Sequence, residues 1–268
     1  MIIKKDISFD FANEMRTLHI YLPDDYYVEG NTERYAVMYM WDGQNLFDDN
    51  DATFGKSWGL ADYLGSYWKK MMVVGMECAH TSVQRCNEYC PYPVSIGDVG
   101  MLRGDAEHTM QWVINVVKPY VDCNFRTCTL REATGVGGSS MGGMMSLYAI
   151  LRHNDIFSKA AVVSPAIRTA MAHFQREIEQ SDLMPDTRIL LSWGTDEWGS
   201  SEWEVVMRHN IRLLKSAIQE RQPAIRTFIL RQDGGKHNEA SWEMQLPTIF
   251  PFLWEGEWPN LPQPLPRR

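Results

Sequence analysis

The chain lacks most of the features that assign a protein to a membrane, a secretory route or a nucleic acid. Its first residues, Met1-Ile2-Ile3-Lys4-Lys5-Asp6, carry no apolar signal core and no small-residue cleavage site, and no window approaches the roughly 20 apolar residues of a membrane span. A cytoplasmic protein that stays out of the membrane is the expectation. No C-x-x-C pair occurs, and the five cysteines (Cys78, Cys86, Cys90, Cys123, Cys128) cannot all pair within one chain. A reducing compartment keeps them as thiols, most of them packed as small hydrophobes. The group Cys78, His80, Cys86 and Cys90 lacks the spacing of a structural zinc site, so no metal is expected. Basic residues are in deficit, 26 Lys and Arg against 34 Asp and Glu for a net charge of -8, which opposes binding to phosphate backbones and anionic membranes.

What is present is an ordinary globular composition. With 268 residues, 44% apolar and 22% charged, the chain suffices for one sizeable core, expected over residues 1–254. From Glu255 it turns proline-rich (Pro259, Pro262, Pro264, Pro266) and ends in Arg267-Arg268. That composition favours an extended tail over residues 255–268, free or clasping a second subunit, and a homodimer is the base-rate expectation. Short apolar runs bounded by turn residues predict strands over Thr17–Leu22, Tyr35–Trp41, Met71–Met76, Thr134–Ser139, Ala160–Ser164, Arg188–Trp193 and Ile225–Leu230. Segments of helical period lie between and after them, over His108–Tyr120, Gly143–His153, Ala170–Gln180, Glu202–Glu220 and Ser241–Trp254. Apolar strands alternating with helices imply an α/β fold with a mostly parallel sheet covered on both faces, entered by an antiparallel strand near Thr17. Ligands in such sheets bind beyond the carboxyl ends of the strands, where the loops after Trp41, Ser139, Trp193 and Leu230 converge.

One of those loops carries the chain's most specific signal, Gly137-Gly138-Ser139-Ser140-Met141-Gly142-Gly143. A serine on a tight strand-to-helix turn is held in strained backbone geometry, and the residues two places to either side must be small. Ser140 meets that demand with Gly138 and Gly142, whereas Ser139 would place Met141 where the helix passes the strand. Ser140 is therefore the candidate nucleophile. Without catalysis the same sequence is a close-packed turn or an anion site at a helix start.

A serine hydroxyl needs a histidine to take its proton, and the histidine needs a carboxylate to fix its tautomer. In chain order these follow the serine as acid, then histidine. His209 lies inside a helical segment, so His237, in the loop Asp233-Gly234-Gly235-Lys236-His237-Asn238-Glu239, is the candidate base. The acid belongs after the strand ending at Trp193, in Gly194-Thr195-Asp196-Glu197, which offers two carboxylates. In hydrolases with a similar turn the acid stands three residues after the glycine, which favours Glu197 and leaves Asp196 to cap the turn. The oxyanion formed on attack needs two backbone donors, expected at Met141 and, in the turn Asp42-Gly43-Gln44-Asn45, at Gln44.

The segment Tyr39-Met40-Trp41-Asp42-Gly43-Gln44-Asn45-Leu46-Phe47-Asp48 resembles the oxyanion-strand motif of the esterase family that includes esterase D, feruloyl and acetylxylan esterases, and enterochelin esterases. Further matches follow in order: Val74-Gly75-Met76 with Arg85 to Pro91, Lys118 to Asp122 with Phe125-Arg126-Thr127, the Ser140 turn, Ser164-Pro165, and His237 to Trp242. The resemblance covers about Leu18 to Trp254. It implies an α/β-hydrolase fold with a Ser-acid-His triad and no cofactor. Lys236 directly before the histidine and Ile167 after the Ser-Pro pair depart from the family pattern, and both bear on substrate class.

The expected activity is hydrolysis of a small-molecule ester by a serine carboxylesterase. Two other readings share the fold: an acyltransferase, which passes the acyl group to an alcohol or thiol, and a silent binding protein. A Ser-His dyad without the acid is a third arrangement. Trp41, Trp58, Trp198 and Trp242 stand in or beside the site loops, as stacking surfaces or as core. Met141, Met144 and Met145 crowd the helix after the turn, as an adaptable acyl pocket or as packing.

Overall fold

The structure, a computed structural model, describes residues 1–199 and 201–255. The chain opens with two antiparallel strands, β1 (Ile2–Phe9) and β2 (Glu14–Tyr21), in register from Ile2 opposite Tyr21 to Phe9 opposite Glu14. β3 (Val37–Trp41) and β4 (Met72–Met76) follow, with a short helix α1 (Leu60–Ser66) between them. After α2 (Ser82–Tyr89) comes a two-stranded ribbon, β5 (Ser95–Ile96) and β6 (Gly100–Met101). Helix α3 (Ala106–Trp112) passes through a π segment over Val113–Val117 into α4 (Lys118–Asn124). The remaining units alternate: β7 (Thr134–Ser139), α5 (Met141–Arg152), β8 (Lys159–Val163), α6 (Met171–Gln180), β9 (Arg188–Gly194), α7 (Ser201–Arg221), β10 (Arg226–Gln232), α8 (Glu239–Glu243) and α9 (Leu246–Trp254).

The main sheet has eight strands in the order β1-β2-β4-β3-β7-β8-β9-β10. β2 pairs antiparallel with β4, and every pairing from β4 to β10 is parallel. The antiparallel entry, parallel sheet and flanking helices expected from the sequence are thus all present. Period-two alternation assigns the two faces of the central strands to different cores. On β3, Val37, Tyr39 and Trp41 join one cluster and Met38 and Met40 the other. β8 divides in the same way, Ala160 and Val162 against Ala161 and Val163. α5 packs on β7 and β8 over the first face, and α9 covers β8 and β9 on the second. Met144 and Met145 are wholly buried in the first core, so these two methionines are packing.

Three departures from the sequence reading have physical causes. The helix expected over His108–Tyr120 runs from Ala106 to Asn124 through the π segment, just upstream of Pro119. Proline has no N–H to give and its ring crowds the preceding turn, which a π turn relieves. The helix expected over Ser241–Trp254 is two helices, α8 and α9, with Pro247 in the first turn of α9, where its missing N–H costs no bond, and Pro251 accommodated further along. The strand β1 was not expected; it is an edge strand whose Lys4, Lys5 and Asp6 are exposed while Phe9 is buried. Among the described residues no helix is long and apolar enough to cross a membrane. All five cysteines are unpaired, and Cys78, Cys86 and Cys90 are buried. From residue 256 onward the expected proline-rich tail lies outside the described residues.

Candidate active site

Ser140 stands between β7 and α5 with φ 59° and ψ −118°. This is positive-φ backbone geometry that a non-glycine residue adopts only when its surroundings hold it there. The surroundings do so through hydrogen bonds. Its N–H donates to the Val163 carbonyl at 3.0 Å, and its own carbonyl accepts from Met144 and Ala166, each at 3.0 Å. The small flanks are required by Trp41. A Cβ on Gly138 would lie 2.9 Å from Trp41 Cδ1, and one on Gly142 would lie 3.0 Å from Trp41 Cβ. Trp41 is fixed from below by its indole N–H, which donates to Ser146 Oγ at 3.1 Å. Trp41 is therefore a buried floor for the turn and offers no stacking surface.

The acid turn and the histidine loop are laced together. Thr195 N–H donates to the Gln232 carbonyl at 3.0 Å, Asp196 N–H to the Gly235 carbonyl at 2.9 Å, and Gly234 N–H to Thr195 Oγ1 at 2.8 Å. Asn238 caps α8 by accepting from Ser241 N–H at 3.0 Å, and Ser241 Oγ accepts from Lys236 N–H at 2.8 Å. This lacing sets Glu197 Oε2 3.2 Å from His237 Nδ1. Asp196, the other carboxylate of the turn, is exposed.

The Glu197 side chain is fully buried. Its Oε1 accepts from Gly194 N–H at 2.7 Å and from Ser164 Oγ at 2.5 Å. Burial pushes its carboxyl up, but the hydrogen bonds from His237, Gly194 and Ser164 and the His237 charge outweigh it and hold the pKa below the usual value. Ser164, itself at φ 43°, also accepts from the Trp242 indole N–H at 3.0 Å. Trp242 stands edge-on to the His237 ring at 5.2 Å, with Trp198 on another side at 5.0 Å and Trp58 packed behind Trp242. His237 thus has its Nδ1 side committed to Glu197 and two indoles beside its ring.

The turn after β3 carries Gln44. The left-handed residue of that turn is Asp42, at φ 57°. Gly43 is needed for contact instead, since a Cβ there would lie 2.4 Å from the Gly75 carbonyl carbon on β4. Asp42 is buried and takes both arms of Arg85, at 2.6 and 2.7 Å. Its N–H donates to Tyr89 Oη at 3.2 Å. Burial, opposing the charge, is more than offset by Asp42, and the Arg85 guanidinium is held firmly protonated. Among the described residues, no hydrogen bond occupies the backbone N–H of Gln44 or of Met141. Both stand at helix starts, where unpaired donors are expected.

Ser140, His237, Gln44, Asp42, Arg85 and Trp242 line one cleft of about 760 Å³. Phe54 and Trp198, 81% and 59% exposed, belong to the same lining and stand at its open side. Sequence reasoning did not assign roles to Arg85, Ser164 or Glu239. All three lay within the matched motifs, which gave them no role.

The strand order, the strained serine after β7, fifth in the sheet order, and the histidine beyond the last strand define an α/β-hydrolase fold. Residues 11–253 match the Esterase family, described as "Putative esterase", and the chain belongs to that family. It is 24% identical over 210 residues to the uncharacterized protein YbbA of Bacillus subtilis (strain 168), covering 76% of this chain and 77% of that protein. Among solved structures, the BES protein from Bacillus cereus superposes with a TM-score of 0.74 at 15% identity, over 94% of this chain and 95% of that one. A ferulic acid esterase superposes with a TM-score of 0.69 at 15% identity, over 94% and 97%.

Proposed function

We propose that this esterase is a serine carboxylesterase of small esters, working through Ser140, His237 and Glu197. The observation that carries the reading is the buried Glu197 on His237 Nδ1, in the cleft that also exposes Ser140 at a strained turn. Among the described residues the Ser140 hydroxyl makes no hydrogen bond to His237, a looseness that unliganded sites commonly show before substrate closes them.

In the proposed reaction the ester carbonyl lies between Ser140 and the N–H groups of Met141 and Gln44. His237 Nε2 takes the hydroxyl proton as Ser140 Oγ bonds to the carbonyl carbon, and the carbonyl π pair moves onto oxygen. The two amides hold that oxyanion, and Glu197 holds the imidazolium through Nδ1. The tetrahedral adduct collapses, the C–O bond to the alcohol breaks, and His237 returns its proton to the departing oxygen. Water then attacks the acyl-enzyme by the same route, releasing a carboxylic acid and free Ser140. Arg85 and Asp42 touch no reacting atom in this scheme; they fix the turn that presents Gln44.

The test is hydrolysis of short-chain aryl acetates and butyrates by the protein and by Ser140→Ala, with mass spectrometry after fluorophosphonate treatment. Turnover abolished in the variant, with one adduct on Ser140, is the expected result. Absence of both turnover and adduct in the unaltered protein overturns the proposal.

A further inference from the structure

The cleft holds more carboxyl groups than the proposed reaction uses, and only one of them lacks an ionic partner. Asp42 is paired with Arg85, Asp51 with Lys4 at 2.7 Å, and Glu77 with His19 at 2.8 Å. Glu239 is different. It is 5% exposed, lines the cleft, and among the described residues accepts no side-chain hydrogen bond from any other residue. The same cleft also contains Gln44 Oε1, a buried acceptor without a partner. Its Nε2 is engaged by Cys78 and Thr53.

A buried carboxyl without an ionic partner is unfavourable in its charged form. Burial raises the Glu239 acid and the nearby Asp42 charge adds to this, while its own amide, His237 and Arg85 oppose them. Two unmatched acceptors in one cleft ask for a ligand that donates, and the guanidinium that could welcome an anion is already taken by Asp42.

We propose that Glu239, with Gln44 Oε1, forms a subsite for a protonated amine on the ester substrate and selects cationic over anionic esters. The inference rests on the esterase reading of the cleft. An ammonium there donates to both acceptors and neutralises Glu239, whereas a carboxylate adds to an acidic wall and leaves both acceptors unmatched.

The experiment compares nitrophenyl esters of para-aminomethylbenzoate, para-methylbenzoate and para-carboxybenzoate, on the protein and on Glu239→Gln. The expected result is a kcat/KM preference for the ammonium over the carboxylate ester of at least about tenfold, carried mainly by KM and compressed at least about tenfold in Glu239→Gln. A preference that is absent, or that survives Glu239→Gln unchanged in a variant with unaltered thermal unfolding, overturns the proposal. Calorimetric binding of para-methylbenzylammonium and para-methylbenzoate to Ser140→Ala, with and without Glu239→Gln, gives a readout independent of turnover. Tighter ammonium binding lost with Glu239, in a protein that hydrolyses no ester, supports the subsite and sinks the esterase mechanism. Equal binding of the two probes sinks the subsite whatever the hydrolysis result.

Discussion

Glu197 Oε1 takes the Gly194 N–H and the Ser164 hydroxyl, which leaves Oε2 for His237. With its side chain sealed from solvent and its pKa held low, it stays ionised across the range in which a histidine titrates. The acid limb of the kcat/KM profile therefore does not come from Glu197. Glu197→Gln keeps the shape but removes the charge and puts an NH2 group among donors, disfavouring the tautomer that leaves Nε2 free to accept. Steady-state kinetics should show kcat reduced on the order of 10²–10⁴-fold with KM little changed; activity near the original level would instead establish a Ser-His dyad. Ser164→Ala deprives Glu197 of one donor and leaves the buried Trp242 indole N–H unpaired. Urea unfolding should show a loss of about 1–3 kcal/mol. Ser140, Glu197 and His237 could be proposed from the sequence because small flanks, chain order and loop position narrow the choice locally. Arg85 on Asp42 and Ser164 on Glu197 could not. Those partners stand 43 and 33 residues apart and meet only through the fold.

The meeting of acid and histidine is a property of two loops. Gly194 ends β9 with Gly235 pressed against it, and a Cβ on Gly194 would lie 2.2 Å from the Gly235 carbonyl oxygen. Gly194→Ala must push the two loops apart and with them Glu197 from His237. We expect kcat to fall at least about tenfold and stability to drop about 1–3 kcal/mol. Gly65, inside α1, has nothing within 4 Å of an added Cβ. Gly65→Ala should raise stability by about 0.5–1 kcal/mol without changing kcat, and thermal unfolding with steady-state kinetics reads both variants. The central strands were legible because burial on both faces leaves continuous apolar runs such as Val37–Trp41 and Met72–Met76. β1 was not, since an exposed edge gives no such run. α2 was not either: it is short, its mean composition is polar, and its Thr81 cap marks only its start. The two proline effects, at Pro119 and Pro247, moved helix boundaries without altering which segments are helical.

Across the whole molecule the proposed chemistry gathers beyond the carboxyl ends of the parallel strands, while their amino ends are closed by cations. Arg188, first residue of β9, donates to the Phe252 carbonyl in the last turn of α9 at 3.1 Å and to the Glu255 carbonyl just past it at 2.6 Å. Lys159, first residue of β8, donates to the Glu132 carbonyl and Ser158 Oγ and sits 4.9 Å from the centre of the Trp254 ring. Burial, then the charges of Arg188 and Arg131, lower its pKa from the ordinary 10.5 to about 8, against Asp186 and Glu132. A lysine with a depressed folded pKa binds its proton more weakly in the folded than in the unfolded chain. Its penalty on stability is therefore full below about pH 8 and is relieved as pH rises from about 8 towards 10.5. At its largest that relief approaches about 3 kcal/mol. Denaturant unfolding of the protein and of Lys159→Met across this window should show the difference between them shifting in favour of the lysine as pH rises and levelling off above about 10.5. Groups common to both, tyrosines and cysteines included, cancel in that difference. A difference that does not change with pH would mean that Lys159 binds its proton equally well in the folded and the unfolded chain, its two hydrogen bonds and the Trp254 ring offsetting burial and the neighbouring cations.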